Sequence, residues 1–353
     1  MTALSIGDLA KCAIPPEAIF FRDTEALGEH LRNRDEIELS TLGQSRAGQL
    51  LYGYTMGTGP LTVSITAGCH ADEPVGPMTA QILPELLRLY APELLELFSF
   101  RVVPQMNPDG ADANRPWFAS NPDFATYVEH AVREAPGDDV EFGFSEDEKA
   151  RPECRAAIPF LWHHKPVAAH FSLHGMAWAE GAWYLLNELW AGRSDMLMDE
   201  LIASAVCHDM PLHEIDRKGL KGFTRIREGV ATTPSSIAMR AFFDDENDPE
   251  MAAKFLPSSM EVAMATGDAP LCMVSELPLF LLDVPPSIEN PVLFRFRDAL
   301  NEARAKGGAY ALQELIQTFR LRTVPIATQI QLQFTMMVRA LHHVASQRSR
   351  PSK

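Results

Sequence analysis

The chain has 353 residues, of which 46% are hydrophobic and 22% charged, so it is long enough to bury a large α/β core. Its formal net charge of -16 argues against a nucleic acid or an anionic membrane as a partner, because either would need a basic face. No basic segment precedes an apolar run at the start, and no stretch approaches the roughly 18 apolar residues of a spanning helix. We therefore expect a cytoplasmic protein.

The five cysteines are scattered, odd in number and without Cys-x-x-Cys spacing. This pattern predicts free thiols in a reducing compartment, not a disulfide framework or an all-cysteine zinc site. Cys69 stands next to His70, but adjacent side chains on a strand point to opposite faces. We therefore do not expect Cys69 to be a metal ligand.

The N-terminal part of the chain predicts a cap, a hairpin and a strand-helix-strand unit. Residues 1–35 form the predicted cap, with a short helix near 23–33, and residues 36–68 predict a hairpin that leads into the first central strand. Apolar residues at helical spacing over 76–98, interrupted by two prolines, predict crossover helices before a strand at 99–106. These elements are typical of an α/β sheet with crossover connections.

His70 and Glu73 are the most informative residues of this region. The run at 61–68 is apolar, β-branched and ends in Gly, so His70 is expected where a strand ends, at the carboxyl edge of a sheet. An imidazole and a carboxylate three positions apart can converge on one ion, and catalytic zinc takes three protein ligands and leaves a fourth position for water. A similar strand-like stretch at 167–175 supplies His174 just before a glycine, which makes it the candidate for the third ligand.

The second half of the chain is less regular. Residues 116–145 are polar and acidic and predict a surface insertion, after which Ser145 as N-cap and Glu148 as its capping-box partner predict the start of a helix. Residues 261–278 predict two strands around a Gly-Asp turn. The tail at 288–347 has apolar positions at helical spacing and predicts a C-terminal group of helices.

Six short motifs occur along the chain in one order. They are His-x-x-Glu at 70–73, Asn-Pro-Asp-Gly at 107–110, Asn-Arg at 114–115, Ser-Glu-Asp-Glu at 145–148, the His of Ser-Leu-His-Gly at 172–175, and the Glu of the strand-like run at 274–280. In this order they resemble the zinc carboxypeptidases of the funnelin type, peptidase family M14. The resemblance covers roughly residues 35–285.

The resemblance implies a fold class and a division of the chain. It implies an α/β domain with a single mixed, mostly parallel β-sheet flanked by helices, a carboxypeptidase-like sandwich, over residues 36–287. The cap at 1–35 would precede this domain, and a helical C-terminal extension at 288–353 would follow it. The expected cofactor is one Zn²⁺ per chain.

The candidate site has a metal and a base. His70, Glu73 and His174 would hold the Zn²⁺ and leave a water on it with a pKa lowered towards about 7, and this water would be the nucleophile. Glu276 is the candidate general base, because it ends an apolar strand where a sheet-edge carboxylate would face the metal. The resemblance assigns the same role to that position.

Two further residues are candidates for substrate binding. Arg115 resembles the arginine of the family's Asn-Arg pair, which grips the terminal carboxylate of the substrate, and Asn114 resembles its neighbouring hydrogen-bond donor. A guanidinium suits this role because it binds a carboxylate through two parallel hydrogen bonds. Asn107 and Asp109 are expected to be structural, since Asn-Pro-Asp-Gly is a turn by propensity.

The chain departs from the family pattern in two ways. Only residues 111–113 separate the turn from Asn114, so the family's second arginine is missing, and either Arg115 polarises the scissile carbonyl or another arginine such as Arg240 replaces it. The family's mobile tyrosine is also missing, because no Tyr lies between Tyr184 and Tyr310. The shortened interval also resembles the aspartoacylase and succinylglutamate desuccinylase branch, whose members remove an acyl group from an amino acid.

The sequence therefore predicts a zinc metallopeptidase, a metallocarboxypeptidase that acts on peptides. An N-acyl amino acid deacylase and a non-catalytic zinc-binding homologue remain the alternatives. Glu276 argues against the non-catalytic alternative, because a protein without turnover has no need of a carboxylate there. The expected partners are a peptide or an N-acyl amino acid, with neither nucleic acid nor membrane. Side-chain specificity and oligomeric state do not follow from the sequence.

Overall fold

The computed structural model describes residues 5–9, 11–119, 121–135, 137–162, 166–284, 291–307 and 309–348. Short runs of strands alternate with short runs of helices along most of this length. The strands are β1 (Glu38–Gln44), β2 (Leu50–Met56), β3 (Leu61–Ala67), β4 (Phe98–Val103), β5 (Val167–Leu173), β6 (Met176–Ala179), β7 (Trp183–Leu186), β8 (Arg225–Arg227), β9 (Val230–Thr232), β10 (Leu271–Glu276), β11 (Pro278–Leu281) and β12 (Arg322–Thr323). The helices are α1 (Ile6–Leu9), α2 (Thr24–Arg32), α3 (Val75–Tyr90), α4 (Glu93–Leu97), α5 (Pro108–Ala113), α6 (Phe124–His130), α7 (Pro152–Trp162), α8 (Glu188–Ala191), α9 (Asp195–Cys207), α10 (Ser236–Asp245), α11 (Pro249–Ala252), α12 (Ser259–Ala265), α13 (Val292–Lys306), α14 (Ala309–Thr318) and α15 (Ile326–Arg348).

The described strands form one large mixed sheet in the order β1-β2-β4-β3-β5-β10-β7-β9-β8 and one small sheet in the order β12-β11-β6. The central strands β4, β3, β5 and β10 are parallel to one another. The outer pairs are antiparallel, apart from β7 with β9. The predicted α/β class, a mixed sheet flanked by helices, is confirmed. Its parallel character belongs mainly to the centre, and the small second sheet was not predicted.

The elements before the first central strand follow their sequence signals. Helix α2 lies where a helix was predicted, and the Asp23 side chain caps it by accepting a hydrogen bond from the backbone N–H of Ala26. Strands β1 and β2 form the predicted hairpin. Strand β3 is buried at every position after Leu61, as expected of a central strand covered on both faces.

The two prolines of the crossover region act differently from one another. Helix α3 continues through Pro84, which was predicted to interrupt it, whereas Pro92 stands at the N-cap of α4. Helix α3 is buried over most of its length and packs against β3, β5 and α15. This packing outweighs the loss of one helical hydrogen bond at Pro84.

Two local predictions in the second half are wrong. The Ser145 hydroxyl accepts the backbone N–H of Asp147 at 3.1 Å and closes a turn, and the next helix, α7, starts at Pro152, where a proline fits the first helical turn. Residues 261–265 belong to a helix, α12, because Ser258 and Glu261 form a capping box there. Only β10, beyond that helix, is the predicted strand.

The predicted helical tail is confirmed as α13, α14 and α15, and α15 runs through the main hydrophobic core. On α15, the Gln333 side-chain amide donates to the backbone carbonyl of His174 at 3.0 Å and to Ser275 Oγ at 2.9 Å. The Thr79 hydroxyl donates to Gln333 Oε1 at 2.6 Å. The C-terminal helix is thus bonded directly to the strand ends that carry the candidate site, while the division of the chain near residue 287 stays a prediction.

All five cysteines are free thiols. Within the described ranges, no helix combines the length and the apolar character that crossing a membrane requires.

Candidate metal and catalytic site

His70, Glu73 and His174 meet at the carboxyl ends of β3 and β5. The Glu73 carboxylate lies between the two imidazoles, with one oxygen 2.8 Å from His70 Nδ1 and the other 2.8 Å from His174 Nδ1. The two Nδ1 atoms are 3.1 Å apart. Because β3 and β5 are adjacent and parallel, both histidines leave the sheet at the same edge. The three residues offer ligand atoms that all lie within 4.8 Å of one another.

The start of α3 brings Glu73 to the end of β5, and a glycine permits that approach. A Cβ at Gly76 would lie 2.2 Å from the carbonyl oxygen of Leu173, so only glycine fits between helix and strand. The backbone N–H of Gly175 donates to the Glu73 carboxylate at 3.2 Å. These contacts hold the carboxylate beside His174.

The residues present fit a catalytic zinc ion. Two imidazole nitrogens and one carboxylate are a ligand set of catalytic zinc sites, and they leave one position open. Behind the rings, His174 Nε2 lies 2.9 Å from the Glu141 carboxylate, and His70 Nε2 lies 3.7 Å from the Asp139 carboxylate. A carboxylate in this place favours the proton on Nε2 and leaves the Nδ1 lone pair for a metal.

The charges of the cluster also suit a cation. Burial alone would raise the pKa of Glu73, but attraction to His70, Arg133 and His174 outweighs burial and holds the pKa well below its usual range. Burial alone would lower the pKa of His174, but Glu141 and Glu73 outweigh it and raise the pKa well above its usual range. Protons and a metal ion therefore compete for these groups, so zinc affinity is expected to fall as the pH is lowered.

Cys69 lies close to this cluster on the side of His174. Cys69, Glu141 and His174 form a second group of candidate ligands. Burial, followed by repulsion from Glu141, raises the pKa of the Cys69 thiol to about 12. A thiol that stays protonated near neutral pH is a poor ligand, since the thiolate is the form that binds metal. The structure thus supplies a reason against Cys69 as a ligand.

Glu141 is expected to tune the metal site through His174. Glu141→Gln keeps the size of the side chain but removes its charge, and it should lower zinc affinity roughly 10- to 100-fold. The measurement is a zinc competition titration against a chelator of known affinity. Glu148→Gln is the matched control, because Glu148 is exposed in the following loop. Equal affinities in the two variants would contradict the assignment.

Glu276 ends β10, beside β5, and lines a cavity of ≈230 Å³ together with His70 and His174. Burial, followed by repulsion from Glu73, raises the pKa of Glu276 to about 7. A divalent cation at the neighbouring ligands would lower that pKa, because its charge favours the carboxylate. The structure thus places a carboxyl group with a raised pKa in the same cavity as two of the candidate metal ligands.

Arg133 lines the same cavity, and no sequence signal had marked it. Its Nη1 donates to Asp72 and to Glu73 at 2.9 Å each, while Nη2 makes no hydrogen bond with any residue that the structure describes. Burial would lower the pKa of Arg133, but attraction to Glu73 and Asp72 raises it, so the guanidinium stays charged.

The segment at 116–145 was predicted as a surface insertion, yet it supplies Arg133, Asp139 and Glu141 to the cavity. One sequence signal could have shown this. Glu141 stands between apolar residues in Val-Glu-Phe-Gly-Phe at 140–144, a pattern unusual for a solvated loop.

The structure does not bring Arg115 to the metal ligands. The Arg115 side chain is 51% exposed, and its Nη2 pairs with Asp112 at 2.6 Å and with Asp23 at 3.4 Å. It lies over the Phe21 ring and is not among the residues that line the cavity of Glu276. It follows the short helix α5 and faces the start of α2, so its partners are surface acids.

Asn114 and Arg240 are likewise bonded elsewhere. Asn114 is buried, and its amide donates to the carbonyl of Ala71 at 3.1 Å and accepts from Trp117 Nε1 at 2.6 Å. It therefore holds the loop that carries His70 and Glu73. Arg240 lies on α10 and donates to Ser236 Oγ at 3.2 Å, outside the lining of the cavity.

Known proteins share this fold. It resembles a metallo-carboxypeptidase from Burkholderia cenocepacia, with a TM-score of 0.53, 15% identity, and coverage of 91% of this chain and 68% of that one. It also resembles bovine thrombin-activatable fibrinolysis inhibitor, solved in complex with tick carboxypeptidase inhibitor, with a TM-score of 0.52, 13% identity, and coverage of 94% and 99%. At such identities the likeness shows the fold alone. No curated protein sequence matches this chain.

The sequence itself matches a family model over part of its length. Residues 25–179 match the model described as Peptidase_M14, zinc carboxypeptidase. His70, Glu73 and His174 lie inside the matched segment, whereas Glu276 lies beyond it. The chain is thus similar to the M14 zinc carboxypeptidases in sequence over residues 25–179, and it shares the fold of known carboxypeptidases over most of its length.

Proposed function

We propose that this protein is a zinc-dependent hydrolase that cleaves an amide bond next to a free carboxylate, as a metallocarboxypeptidase acting on peptides. One observation carries the proposal: Glu276, with a pKa raised to about 7, shares a cavity with the zinc-type donors His70 and His174. Amide hydrolysis at a zinc site needs both an open metal position and a nearby base.

Each residue has a distinct task in this proposal. Zinc, when bound, supplies a Lewis acid and lowers the pKa of a water it holds. Glu276 takes the proton from the attacking water and delivers it to the leaving amine. Its raised pKa suits both halves of this transfer, because the group must accept a proton and release it again near neutral pH.

Arg133 takes the task for which the sequence offered Arg115 or Arg240. Its Nη1 is held by Asp72 and Glu73, which orients the guanidinium beside a metal ligand. Its Nη2 makes no hydrogen bond to the described residues and is free to donate to the carbonyl oxygen of a substrate. A fixed cation at this point stabilises the negative charge that develops on that oxygen.

Arg133→Gln is expected to lower kcat roughly 10²- to 10³-fold in the zinc-loaded protein, because such a donor acts mainly in the transition state. Arg115→Gln is the control and should keep kcat/KM close to wild type, since an exposed ion pair contributes only about 0–1 kcal/mol. Steady-state kinetics on one peptide substrate compares the two. If only the Arg115 variant lost activity, and only on free-acid substrates, Arg115 would be the residue that binds the terminal carboxylate, as the sequence predicts.

The proposed function itself is tested on the zinc-loaded protein. Peptides with a free C-terminus and N-acyl amino acids are offered side by side, with and without a chelator. We expect release of the C-terminal residue and its loss on chelation. Hydrolysis of N-acyl amino acids alone would identify the deacylase alternative, and no hydrolysis of either class would identify a non-catalytic zinc-binding protein.

A further inference from the structure

Two basic side chains in the cavity of Glu276 have no part in the chemistry described so far. Arg217 and Lys221 both line this cavity, together with His174 and Glu276. Both are partly buried, and both lie in the loop that leads to β8. The cavity also contains acids, so these two cations favour a negatively charged ligand only if they lack acidic partners in the protein.

Within the described part of the chain, Arg217 and Lys221 make no hydrogen bond or ion pair with an acidic side chain. Each lies over aromatic rings instead. Arg217 is 4.8 Å from the centre of the Trp183 ring and 4.6 Å from that of Phe223, and Lys221 is 4.5 Å from the centre of the Phe242 ring. Cation-π contacts hold the charges in position while their N–H donors remain available.

This arrangement is unfavourable without an anion. Burial lowers the pKa of Arg217, and burial followed by repulsion from Arg217 lowers the pKa of Lys221. Lys221 also has a left-handed backbone with a φ of 57°, which is uncommon for a residue other than glycine. Two partly buried cations that repel each other are stabilised by a ligand that neutralises them.

The other acids that line the cavity lie beside partners of their own. Glu134 pairs with Arg151, Asp139 lies 3.7 Å from His70 Nε2, and Glu141 lies 2.9 Å from His174 Nε2. Glu276 and Glu180 attract Arg217, and Glu246 attracts Lys221, but only through space. Glu276 must stay available as a base, so the neutralising group has to come from the ligand.

The geometry points to Arg217 and Lys221 as the subsite that binds a carboxylate of the residue released from the substrate. This inference rests on the proposed function and names its substrate class. The cavity, at ≈230 Å³, is small beside the ~300–1,000 Å³ of sites for drug-sized ligands, so it suits one terminal residue. The carboxylate is either the α-carboxylate of that residue or the end of an acidic side chain.

The test uses three substitutions in one loop. Arg217→Gln and Lys221→Gln remove the proposed contacts, and Lys218→Gln is the matched control. Lys218 is exposed, outside the cavity lining, and has a similar left-handed φ of 52°. We expect the first two variants to raise KM roughly 10- to 100-fold, the range for a lost hydrogen bond to a charged group, with a smaller effect on kcat. Lys218→Gln should behave as wild type.

Matched peptides separate the two sources of the carboxylate. One pair differs by a free or an amidated C-terminus, and the other by C-terminal Glu or Gln. A variant effect confined to the free C-terminus assigns the α-carboxylate, and one confined to Glu assigns the side chain. Both results support the subsite. Kinetics indistinguishable from those of Lys218→Gln on all four peptides would overturn it.

A binding measurement separates this inference from the proposed function. Glutarate and its neutral analogue glutaramide are titrated calorimetrically into the metal-free protein, whose folding is checked by circular dichroism. Wild type and Lys218→Gln should bind glutarate at least tenfold more tightly than Arg217→Gln and Lys221→Gln do. That pattern without any hydrolysis would reject the proposed function and keep Arg217 and Lys221 as a carboxylate-binding site. Hydrolysis with equal or absent glutarate binding in all four proteins would keep the function and reject the subsite.

Discussion

Glu276→Gln is expected to keep its zinc and to lose roughly 10²- to 10⁴-fold in kcat, the usual contribution of a general base. The amide has nearly the size of the carboxylate, so the cavity and the metal ligands should be preserved. Zinc content and kcat, measured on the same preparation, decide the result. The control is Glu148→Gln, because Glu148 is exposed in another loop. Near-normal kcat in the zinc-loaded Glu276 variant would remove the proposed role.

The same substitution has a signature in the pH profile. As the proposed general base, Glu276 would act in its unprotonated form, and its pKa in the metal-free protein is raised to about 7. The positive charge of zinc lowers that pKa, so kcat/KM should fall as the pH drops through a value below about 7. Residual activity of Glu276→Gln should lack this acidic limb. An unchanged limb in the variant would assign it to another group.

His70→Ala and His174→Ala are expected to abolish stoichiometric zinc binding and, with it, measurable turnover. Each removes one of three donors, and His174→Ala also leaves the buried carboxylate of Glu141 without its imidazole partner. Wild type should bind about one zinc per chain, as a site with three protein ligands and one open position requires. Metal analysis after dialysis provides the count.

His130→Ala is the control for the metal analysis, because the His130 side chain is 43% exposed and belongs to neither group of candidate ligands. Circular dichroism of each variant shows whether the fold persists without the metal. Full zinc stoichiometry in a folded His70 or His174 variant would mean that the ligand set is different.

The sequence was sufficient to locate the candidate site residues that lie at the ends of strands. His70, His174 and Glu276 each come directly after or at the end of an apolar run, and the structure places all three at the carboxyl edge of neighbouring parallel strands. The hydrophobic pattern identifies such strands locally, and parallel strands align their ends, so three distant residues converge without further information. The helical tail and the α/β class follow from similar local periodicity.

Short capping signals were weaker guides. Ser145 with Glu148 matches a capping box and forms only a turn, while Ser258 with Glu261 forms a real box in a segment predicted as a strand. Both patterns are local, and a cap contributes only about 0.5–2 kcal/mol. The free energy of packing the whole segment outweighs a contribution as small as that of one cap.

The basic residues that line the cavity could be identified only from the tertiary structure. Arg133 reaches Glu73 across 60 residues of sequence, and Arg217 and Lys221 enter from a loop without periodicity. Arg115, placed by its motif beside the substrate, instead finds surface partners in Asp112 and Asp23. Strand ends are positioned by the regular hydrogen bonding of the sheet, which the sequence pattern encodes. Loop side chains are positioned by long-range packing, which no local pattern encodes.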